Sequence, residues 1–480
     1  MTDEIPKRSL APSSASKLFE WVLWFALAFV WTANSSGLIS SNDGSHLALA
    51  RALVLRGETA IDPDRALTLE VDLAEREGHA YSDRPPGTAF AALPATWLGD
   101  RLDPAMFERA VEQARSGREV EPLPGALPYI ATYAARSAAG SSGPQLAKVI
   151  GSSIAISIHA VLIGLLGLVL IDRLLRRIPK LDVSARLFAI ASLGLASAWG
   201  PYSTALFSHV SAATAVAGFL LGVVTLEREP SSTMRTAMLT GLAGAWAIAC
   251  DYLLLLAIVP IGLVLIPWRR WGAVALGAAP IVLASLAYHA AAFGGPLAVG
   301  YDHQSNFAFA RERGSTFSGN LLDGLWTLWG LGRGAGLLAQ APIVLVGLAT
   351  LLGMGVRGDA DSTTRHCARA LLGFVPWILV LALHRTPWGG GTEDHRYLIP
   401  ILPFAAIGLA LAWARATLAL RVAVVTLALV SAVLIWRHFL GWHEADAFAR
   451  PGLAALVAGP ILLAGLTAVL LQKLRKPAKV

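Results

Sequence analysis

Charged side chains are scarce in this 480-residue chain, at 15% of the residues, whereas 55% of the residues are hydrophobic. Ordinary soluble proteins carry about 25% charged residues. With a mean hydropathy of +0.58, the chain has more apolar surface than three soluble cores would bury. Cysteine is also scarce, and Cys250 and Cys367 lie in separate segments without metal-ligand spacing, so neither a disulfide framework nor a zinc site is indicated. Composition therefore excludes a water-soluble globule and indicates a chain folded in lipid.

Twelve apolar runs approach the roughly 20 residues that a membrane-spanning helix needs. They are Trp21–Leu38, Leu146–Ile171, Ala185–Trp199, Thr204–Leu226, Thr236–Cys250, Leu253–Ile266, Trp271–Phe293, Gly336–Val356, Ala370–Leu383, Tyr397–Trp413, Leu418–Trp436 and Leu453–Leu471. A single helix over Thr236–Ile266 would rise about 46 Å, too long for a hydrocarbon core of about 30 Å, so two short spans turning at Asp251 are expected. The sequence predicts an all-α polytopic integral membrane protein with about 12 transmembrane helices.

The distribution of basic residues predicts the orientation in the membrane, because lysine and arginine accumulate on the cytoplasmic side. With the N-terminus inside, 21 of the 39 lysines and arginines fall in inner segments and 7 in outer segments after the first long loop. Membrane orientation thus explains the net charge of +7, and nucleic-acid binding is not needed to account for it. The predicted order is a cytoplasmic tail (1–17), an uncleaved first transmembrane helix (18–38), an extracytoplasmic loop (39–145), a transmembrane bundle (146–471) and a second cytoplasmic tail (472–480).

The long outer loop is expected to carry helices that lie along the membrane face. Ser45–Arg56 is one of them. A second begins where Asp103 caps a helix with Pro104 at its first position. Pro85–Leu98 is apolar but short, and counting it as a full span would place most basic residues outside, so we interpret it as interfacial or re-entrant.

Unusual polar motifs collect on the predicted outer face. They are Asn42-Asp43-Gly44, Tyr81-Ser-Asp-Arg-Pro-Pro-Gly87, Asp251, Tyr301-Asp-His303, Arg333 and the stretch from Trp388 to Tyr397. The pattern predicts a site that opens outward at the level of the lipid headgroups. Asp43 has two interpretations. Partial desolvation would raise its pKa and make it a usable base, or Asp43 would cap the helix that follows.

Three arginines are candidates for binding a phosphate group. Arg84 precedes two prolines that stiffen the backbone and hold the guanidinium near the interface for bidentate contact, while snorkelling to lipid headgroups is the alternative. Arg333 lies between two glycines, and Arg396 lies in the last polar loop. Each of these two also fits a residue that simply marks the membrane interface.

Metal binding is a hypothesis that the sequence leaves open. Ligand types of a divalent metal site stand together in two outer segments, Asp302-His303 and Glu393-Asp394-His395, but their spacing specifies no metal. The histidines within the spans are expected to be hydrogen-bonded packing residues: His159, His209 and His289. Asp251 is either solvated at the surface or aimed into the site.

The outer motifs, in this order, resemble those of the C-type (GT-C) membrane glycosyltransferases, especially the bacterial relatives of protein mannosyltransferases and of the lipid A aminoarabinose transferase. Asn42-Asp43-Gly44 is similar to the acidic motif that opens their first outer loop, and Asp83-Arg84-Pro85-Pro86-Gly87 to a basic-Pro-Pro segment further along. Other similar patterns are Leu206-Phe207-Ser208-His209, Gly300-Tyr301, Gly330-Leu-Gly-Arg-Gly334 before Pro342, and Trp388-Gly-Gly to Arg396-Tyr397-Leu398-Ile399-Pro400. Two departures are a single acid in place of an acidic pair, and arginine where histidine or lysine is usual.

The resemblance implies a hexosyl- or pentosyltransferase whose donor is a sugar carried on polyprenyl phosphate, in the bacterial inner membrane. It implies that Asp43 deprotonates an acceptor hydroxyl, which attacks the anomeric carbon with inversion, while Arg84, with Arg333 or Arg396, holds the phosphate. The same motifs supply the expected substrate-binding residues: Asn42, Tyr81, Asp83, His209, Tyr301, His395 and Tyr397.

A transporter or flippase for a lipid-linked or phosphate-bearing substrate is the alternative from another class. Transporters place charges near the midplane and often show repeated halves, whereas these spans hold few charges and the polar motifs favour one face. A polymer ligase or polymerase shares the lipid-phosphate chemistry but fits the early acidic motif less well. The sequence leaves open the sugar and whether the acceptor is a protein, a lipid or a glycan.

Overall fold

The computed structural model describes residues 14–35, 37–116, 133–136, 142–228 and 233–443, and most of them are helical. The helices are α1 (Ser14–Ala33), α2 (Ser41–Arg51), α3 (Gly87–Asp100), α4 (Glu108–Ser116), α5 (Gly143–Leu175), α6 (Val183–Leu195), α7 (Trp199–Tyr202), α8 (Ser208–Arg228), α9 (Met234–Cys250), α10 (Leu255–Leu265), α11 (Trp271–Phe293), α12 (Ala308–Arg311), α13 (Arg313–Thr316), α14 (Leu321–Trp329), α15 (Leu337–Gln340), α16 (Pro342–Gly355), α17 (Ser362–Leu372), α18 (Val375–Leu383), α19 (Leu402–Arg415) and α20 (Leu418–His443). A further helical turn covers 133–136.

Six helical segments within the described residues are long and apolar enough to cross a membrane. They are Gly143–Leu175, Ser208–Arg228, Trp268–Phe293, Ser362–Leu383, Arg396–Arg415 and Leu418–Phe439. Shorter apolar helices lie between them, including α6 and α16. The protein is an all-α, polytopic integral membrane protein, as the composition predicts, while the count of 12 spans stays a prediction.

Each predicted span in the described part of the chain overlaps a helix, but Gly336–Val356 is divided between α15 and α16 and Ala370–Leu383 between α17 and α18. The expected break at Asp251 is confirmed, because α9 ends there in an extended residue and a new helical turn, Tyr252–Leu254, leads into α10. The first span ends earlier than predicted, since α1 stops at Ala33. Outside the described residues lie the predicted span Leu453–Leu471, the whole second predicted tail (472–480) and residues 1–13 of the first predicted tail.

The bundle is held by close helix crossings and, near one end, by buried ion pairs. Helices α16 and α19 cross so tightly that a β-carbon at Gly408 would lie 1.7 Å from the Gly347 carbonyl oxygen, the kind of approach that small residues permit between membrane helices. Arg186 of α6 pairs with Glu20 of α1 at 2.7 Å and with Asp172 of α5. These contacts hold α1, α5 and α6 together.

The segment after α1, predicted to be an outer loop, has a hydrophobic core of its own in its described part. That core joins α2, α3 and the loop residues around Leu67 and Leu73 to the start of α5 and the end of α11. Helix α3 continues through Pro94 to Asp100 and packs on α5, where a β-carbon at Gly99 would lie 2.5 Å from the Gly151 carbonyl oxygen. Pro85–Leu98 is therefore a helix docked on the bundle, and its depth in the membrane stays a prediction.

One hairpin departs from the all-α expectation. Strands β1 (Leu73–Arg76) and β2 (His79–Ser82) pair antiparallel. The two residues between them, Glu77 and Gly78, both have positive φ (53° and 84°), as the type I′ turn of a two-residue hairpin requires. The hairpin leads directly into the Asp83-Arg84 segment.

Candidate active site

Asp43 lies in the first turn of α2 and completes a capping box. The helix begins at Ser41 rather than at the predicted Ser45, with Ser40 as its N-cap. The Asp43 carboxylate accepts hydrogen bonds from the backbone N–H groups of Ile39 and Ser40, each at 2.8 Å, and from the Ser40 hydroxyl at 2.9 Å. The side chain is fully buried, and burial raises the pKa of Asp43 to about 7. The N-cap interpretation of Asp43 is therefore wrong, because Ser40 is the N-cap and Asp43 is the third helical residue of the capping box, whereas the raised pKa agrees with the interpretation as a perturbed acid.

The first two turns of α2 lie against the segment that carries Arg84. Ser41 Oγ donates to Asp72 Oδ2 at 2.6 Å, and the hydroxyls of Ser45 and Ser82 are 2.8 Å apart. Arg84 forms an ion pair with Asp72. The sequence predicts that Asp43 and Arg84 belong to one site, and these contacts bring their segments together.

Arg84 is surrounded by negative charge. Its Nε lies 3.3 Å from Asp83 Oδ1 in addition to the ion pair with Asp72, and its side chain is only 21% exposed. Burial raises the pKa of Asp83 to about 6, against the opposing influence of Arg84. Gln304 donates to Asp83 Oδ2 at 3.4 Å. Arg84 is thus a buried cation that already has carboxylate partners.

Arg396 is a second guanidinium and lies in a different environment. It donates to Thr392 Oγ1 within its own loop and lies 5.4 Å from the ring of Tyr397. Among the described residues, no carboxylate lies within ion-pair distance of it. The His209 ring is 5.5 Å from the Tyr397 ring, so the last polar loop and the start of α8 meet here.

Several buried polar atoms near the two arginines lack hydrogen-bond partners in the described part of the chain. They are Asn42 Oδ1, both ring nitrogens of His46, Arg84 Nε, His209 Nδ1 and Arg396 Nε. Against the opposing effect of burial, Asp72, Asp83, Tyr301 and Tyr397 raise the pKa of Arg84, and both Arg396 and the His209 ring lie against Tyr397, so these side chains belong to one neighbourhood. Six of the twenty such buried atoms in the described residues belong to this group, and a group of this kind is expected where a polar ligand binds.

Tyrosines and aromatic rings form one side of this neighbourhood. The rings of Tyr81 and Phe293 are 5.6 Å apart, and the Tyr252 ring is 6.4 Å from Tyr301. Burial raises the pKa of Tyr301, while the nearby Arg84 lowers it. The predicted substrate-binding residues Tyr81 and Tyr301 therefore lie close to the acidic and basic groups.

Arg333 and His395 belong to a neighbouring group of contacts. Arg333 pairs with Glu393 at 2.5 Å and lies 4.2 Å from the centre of the Trp388 ring. His395 Nδ1 and Gln340 Oε1 are 3.0 Å apart. Glu393 and Gln340 line a cavity of about 460 Å³. Arg333 is half-exposed, and its contacts are with Glu393 and Trp388 rather than with Arg84.

The acids and histidines proposed for a metal do not converge in the described ranges. No group of three or more His, Cys, Asp or Glu side chains there is arranged to hold a metal ion. His303 stacks on Phe293 with ring centroids 5.4 Å apart, and Asp394 accepts a hydrogen bond from the Tyr202 hydroxyl. His303 and Asp394 thus have partners within the protein, Phe293 and Tyr202.

Sequence reasoning missed three residues that organise the site: Asp72, Gln340 and Tyr202. Gln340 and Tyr202 contact predicted residues that are 55 and 192 positions away in the chain, and Asp72 pairs with Arg84 across the unpredicted hairpin, so spacing gave no signal for them. Ser40 had a signal, since a serine three residues before an acid fits a capping box.

No protein-family model and no curated protein matches the chain. Among solved structures, it is similar to the crystal structure of ArnT from Cupriavidus metallidurans bound to undecaprenyl phosphate, with a TM-score of 0.55 and 15% identity over 96% of this chain and 73% of that one. It is also similar to the apo form of the same protein, with a TM-score of 0.52 and 14% identity over 95% and 71%.

ArnT is the lipid A aminoarabinose transferase, a C-type glycosyltransferase. The chain therefore has the fold that its motifs predict.

Proposed function

We propose that the protein is a C-type glycosyltransferase that moves a single sugar from polyprenyl phosphate to an acceptor hydroxyl, at the extracytoplasmic face of the bacterial inner membrane. One observation carries the proposal. In a fold similar to that of a protein crystallised with undecaprenyl phosphate, Arg84 and Arg396 lie among buried polar atoms that have no hydrogen-bond partners within the described residues. A phosphate with an attached sugar supplies an anion for Arg396 and hydrogen-bonding groups for these atoms.

Arg396 is the better candidate for the larger part of phosphate binding. Its guanidinium has no ion pair within the described residues, whereas Arg84 pairs with Asp72. A phosphate that approaches Arg84 must first separate this pair or bind beside it. Charge-assisted hydrogen bonds from guanidinium to phosphate are strong and often bidentate, and they stabilise the charge that develops as the phosphate leaves.

Asp43 is proposed as the general base, acting through Ser40. Asp43 is fully buried, but Ser40, which is only partly buried, donates its hydroxyl hydrogen to Asp43 Oδ1 at 2.9 Å. The acceptor hydroxyl passes its proton to Ser40 Oγ while the Ser40 proton moves to Asp43. The acceptor oxygen bonds to the anomeric carbon, and the bond from that carbon to the phosphate oxygen breaks. Polyprenyl phosphate leaves with the bonding electrons.

Purified protein in liposomes, supplied with a panel of labelled polyprenyl-phosphate sugars and candidate acceptors, tests this function. We expect label to appear in an acceptor with release of polyprenyl phosphate. Asp43→Asn should lower transfer by roughly 10²- to 10⁴-fold, the usual contribution of a general base, while lipid binding is retained. Ser40→Ala should also lower transfer, and Ser40→Thr, which keeps the hydroxyl, should restore most of it.

Asp361→Asn is the matched control, because Asp361 caps α17 through the Thr364 backbone N–H and lies far from this site in the chain. It should transfer sugar like the wild type. Movement of label across the bilayer with the sugar-phosphate bond intact would indicate a flippase instead. Full activity of Asp43→Asn would remove Asp43 from the mechanism.

A further inference from the structure

Asp251 is a carboxylate at a helix break that the mechanism above does not use. The chain is extended at this residue, with φ −150° and ψ 106°, between α9 and the turn Tyr252–Leu254. One carboxylate oxygen, Oδ1, accepts from the Leu253 backbone N–H at 3.0 Å. The side chain is partly exposed, and no ion pair within the described residues involves it.

Backbone contacts place Asp251 beside the Arg84 segment. A β-carbon at Gly87 would lie 2.5 Å from the Ala249 carbonyl carbon and 2.7 Å from the Cys250 nitrogen. Gly87 follows Arg84 by three residues, and Cys250 directly precedes Asp251. The turn after Arg84 and the end of α9 therefore touch without intervening side chains.

A third segment meets the same place. A β-carbon at Gly300 would lie 2.7 Å from the Asp83 α-carbon, and Tyr301 follows. The Tyr252 ring is 6.4 Å from the Tyr301 ring, which links this segment to the turn after Asp251. Arg84, Asp251 and Tyr301 thus come from three segments in direct contact.

Asp251 has no cation within ion-pair distance in the part of the chain that the structure describes. Burial raises the pKa of Asp251 to about 6, so the group is mostly ionised at neutral pH. The charges of Asp251 and Asp83 both raise the pKa of Tyr301, which agrees with the proximity inferred from the backbone. A desolvated carboxylate without a cation needs hydrogen-bond donors to be stable.

We infer that Asp251, together with the Tyr301 hydroxyl, binds hydroxyl groups of the sugar ring of the donor. This inference rests on the proposed function. The sugar is bonded directly to the phosphate, so it occupies the space next to whichever arginine holds that phosphate, and Asp251 follows a segment that touches the Arg84 segment. Sugar hydroxyls are donors that an unpaired carboxylate accepts well, and the phenol hydroxyl of Tyr301 can donate or accept.

The test compares binding of two lipids that differ only in the sugar: a polyprenyl-phosphate sugar and polyprenyl phosphate itself. Asp251→Asn should weaken binding of the sugar-bearing lipid by roughly 10- to 100-fold, the range for hydrogen bonds to a charged group. It should leave binding of polyprenyl phosphate unchanged. Asparagine still has an oxygen to accept from the Leu253 N–H, so the fold should be retained. Asp323→Asn, at an exposed acid in the first turn of α14, is the matched control and should change neither affinity.

Tyr301→Phe and a series of deoxy-sugar donors keep the test decisive. Tyr301→Phe should show the same sugar-dependent loss. Removing the contacted hydroxyl from the donor should weaken wild-type binding, and Asp251→Asn should then cause no further loss. The inference would be overturned if Asp251→Asn weakened binding of both lipids equally. It would also be overturned if every deoxy-sugar donor bound the wild type as tightly as the full sugar donor does. If sugar-bearing lipid binds as expected but no sugar is ever transferred, the inference stands and the proposed function fails.

Discussion

The buried carboxylate of Asp43 makes a prediction about stability that is separate from catalysis. Its pKa rises from the ordinary 3.8 to about 7, which at about 1.4 kcal/mol per pH unit corresponds to roughly 4 kcal/mol between its neutral and charged forms. Asp43→Asn removes this charge. It also replaces one acceptor oxygen by an NH₂ group that faces the N–H donor of either Ile39 or Ser40, a loss of about 1–3 kcal/mol.

The two effects have different pH dependence. Because the folded-state pKa of Asp43 is raised, the wild type has its full stability below about pH 4 and loses stability as the pH rises to about 7, after which the loss is constant. The asparagine variant has no such dependence at this site. The variant should therefore be less stable than the wild type at pH 4, and the difference should shrink or reverse at pH 8.

Thermal unfolding of both proteins in the same detergent, from pH 4 to pH 8, measures the difference directly. Sugar transfer by the wild type, assayed in parallel, should rise with pH through about 7 as the base ionises, while the variant stays inactive throughout. A difference in melting temperature that is constant across this range would refute the assignment of Asp43 as a buried acid with a raised pKa.

Three further substitutions test other parts of the structure. Arg396→Ala should weaken binding of polyprenyl phosphate by roughly tenfold or more, and unchanged binding would exclude this guanidinium from the phosphate site. Gly408→Ala should lower the melting temperature, because its β-carbon would lie 1.7 Å from a carbonyl oxygen of α16 and overpacking costs about 1–3 kcal/mol; an unchanged value would contradict the crossing. Arg186→Ala should lower the free energy of unfolding by about 1–3 kcal/mol, as calorimetry would measure. This is less than the cost of breaking a buried ion pair that has no other partner, because Asp172 still pairs with Arg176.

The helices were predictable because apolar runs and breaks follow from the thickness of a bilayer. The turn at Asp251 is the clearest case, since one continuous helix would be too long. The start of α2 was placed four residues late because Asp43 was interpreted as the cap itself, when Ser40 has that place. The hairpin was missed although Glu77-Gly78 is a two-residue turn sequence, because its strands have only four residues each.

The motifs indicated Arg84, Arg396 and Tyr301 as candidate site residues by residue type and predicted position, but the pairings within the site could not be predicted. Nothing in the spacing indicates that Arg84 pairs with Asp72, or that Arg333 contacts Glu393 sixty residues away. Such pairings depend on which helices lie side by side, and that is set by packing between segments distant in sequence.

Gly87 and Gly300 bear no reactive group, yet they determine how near the chemistry-bearing side chains come to one another. Each sits where main chain meets main chain, so the spacing is governed by atoms that cannot switch rotamer. A scan of random substitutions should therefore find that neither Gly87 nor Gly300 tolerates even the methyl group of alanine. Inactive variants found there would report a displaced scaffold, and should not be mistaken for missing participants in the reaction.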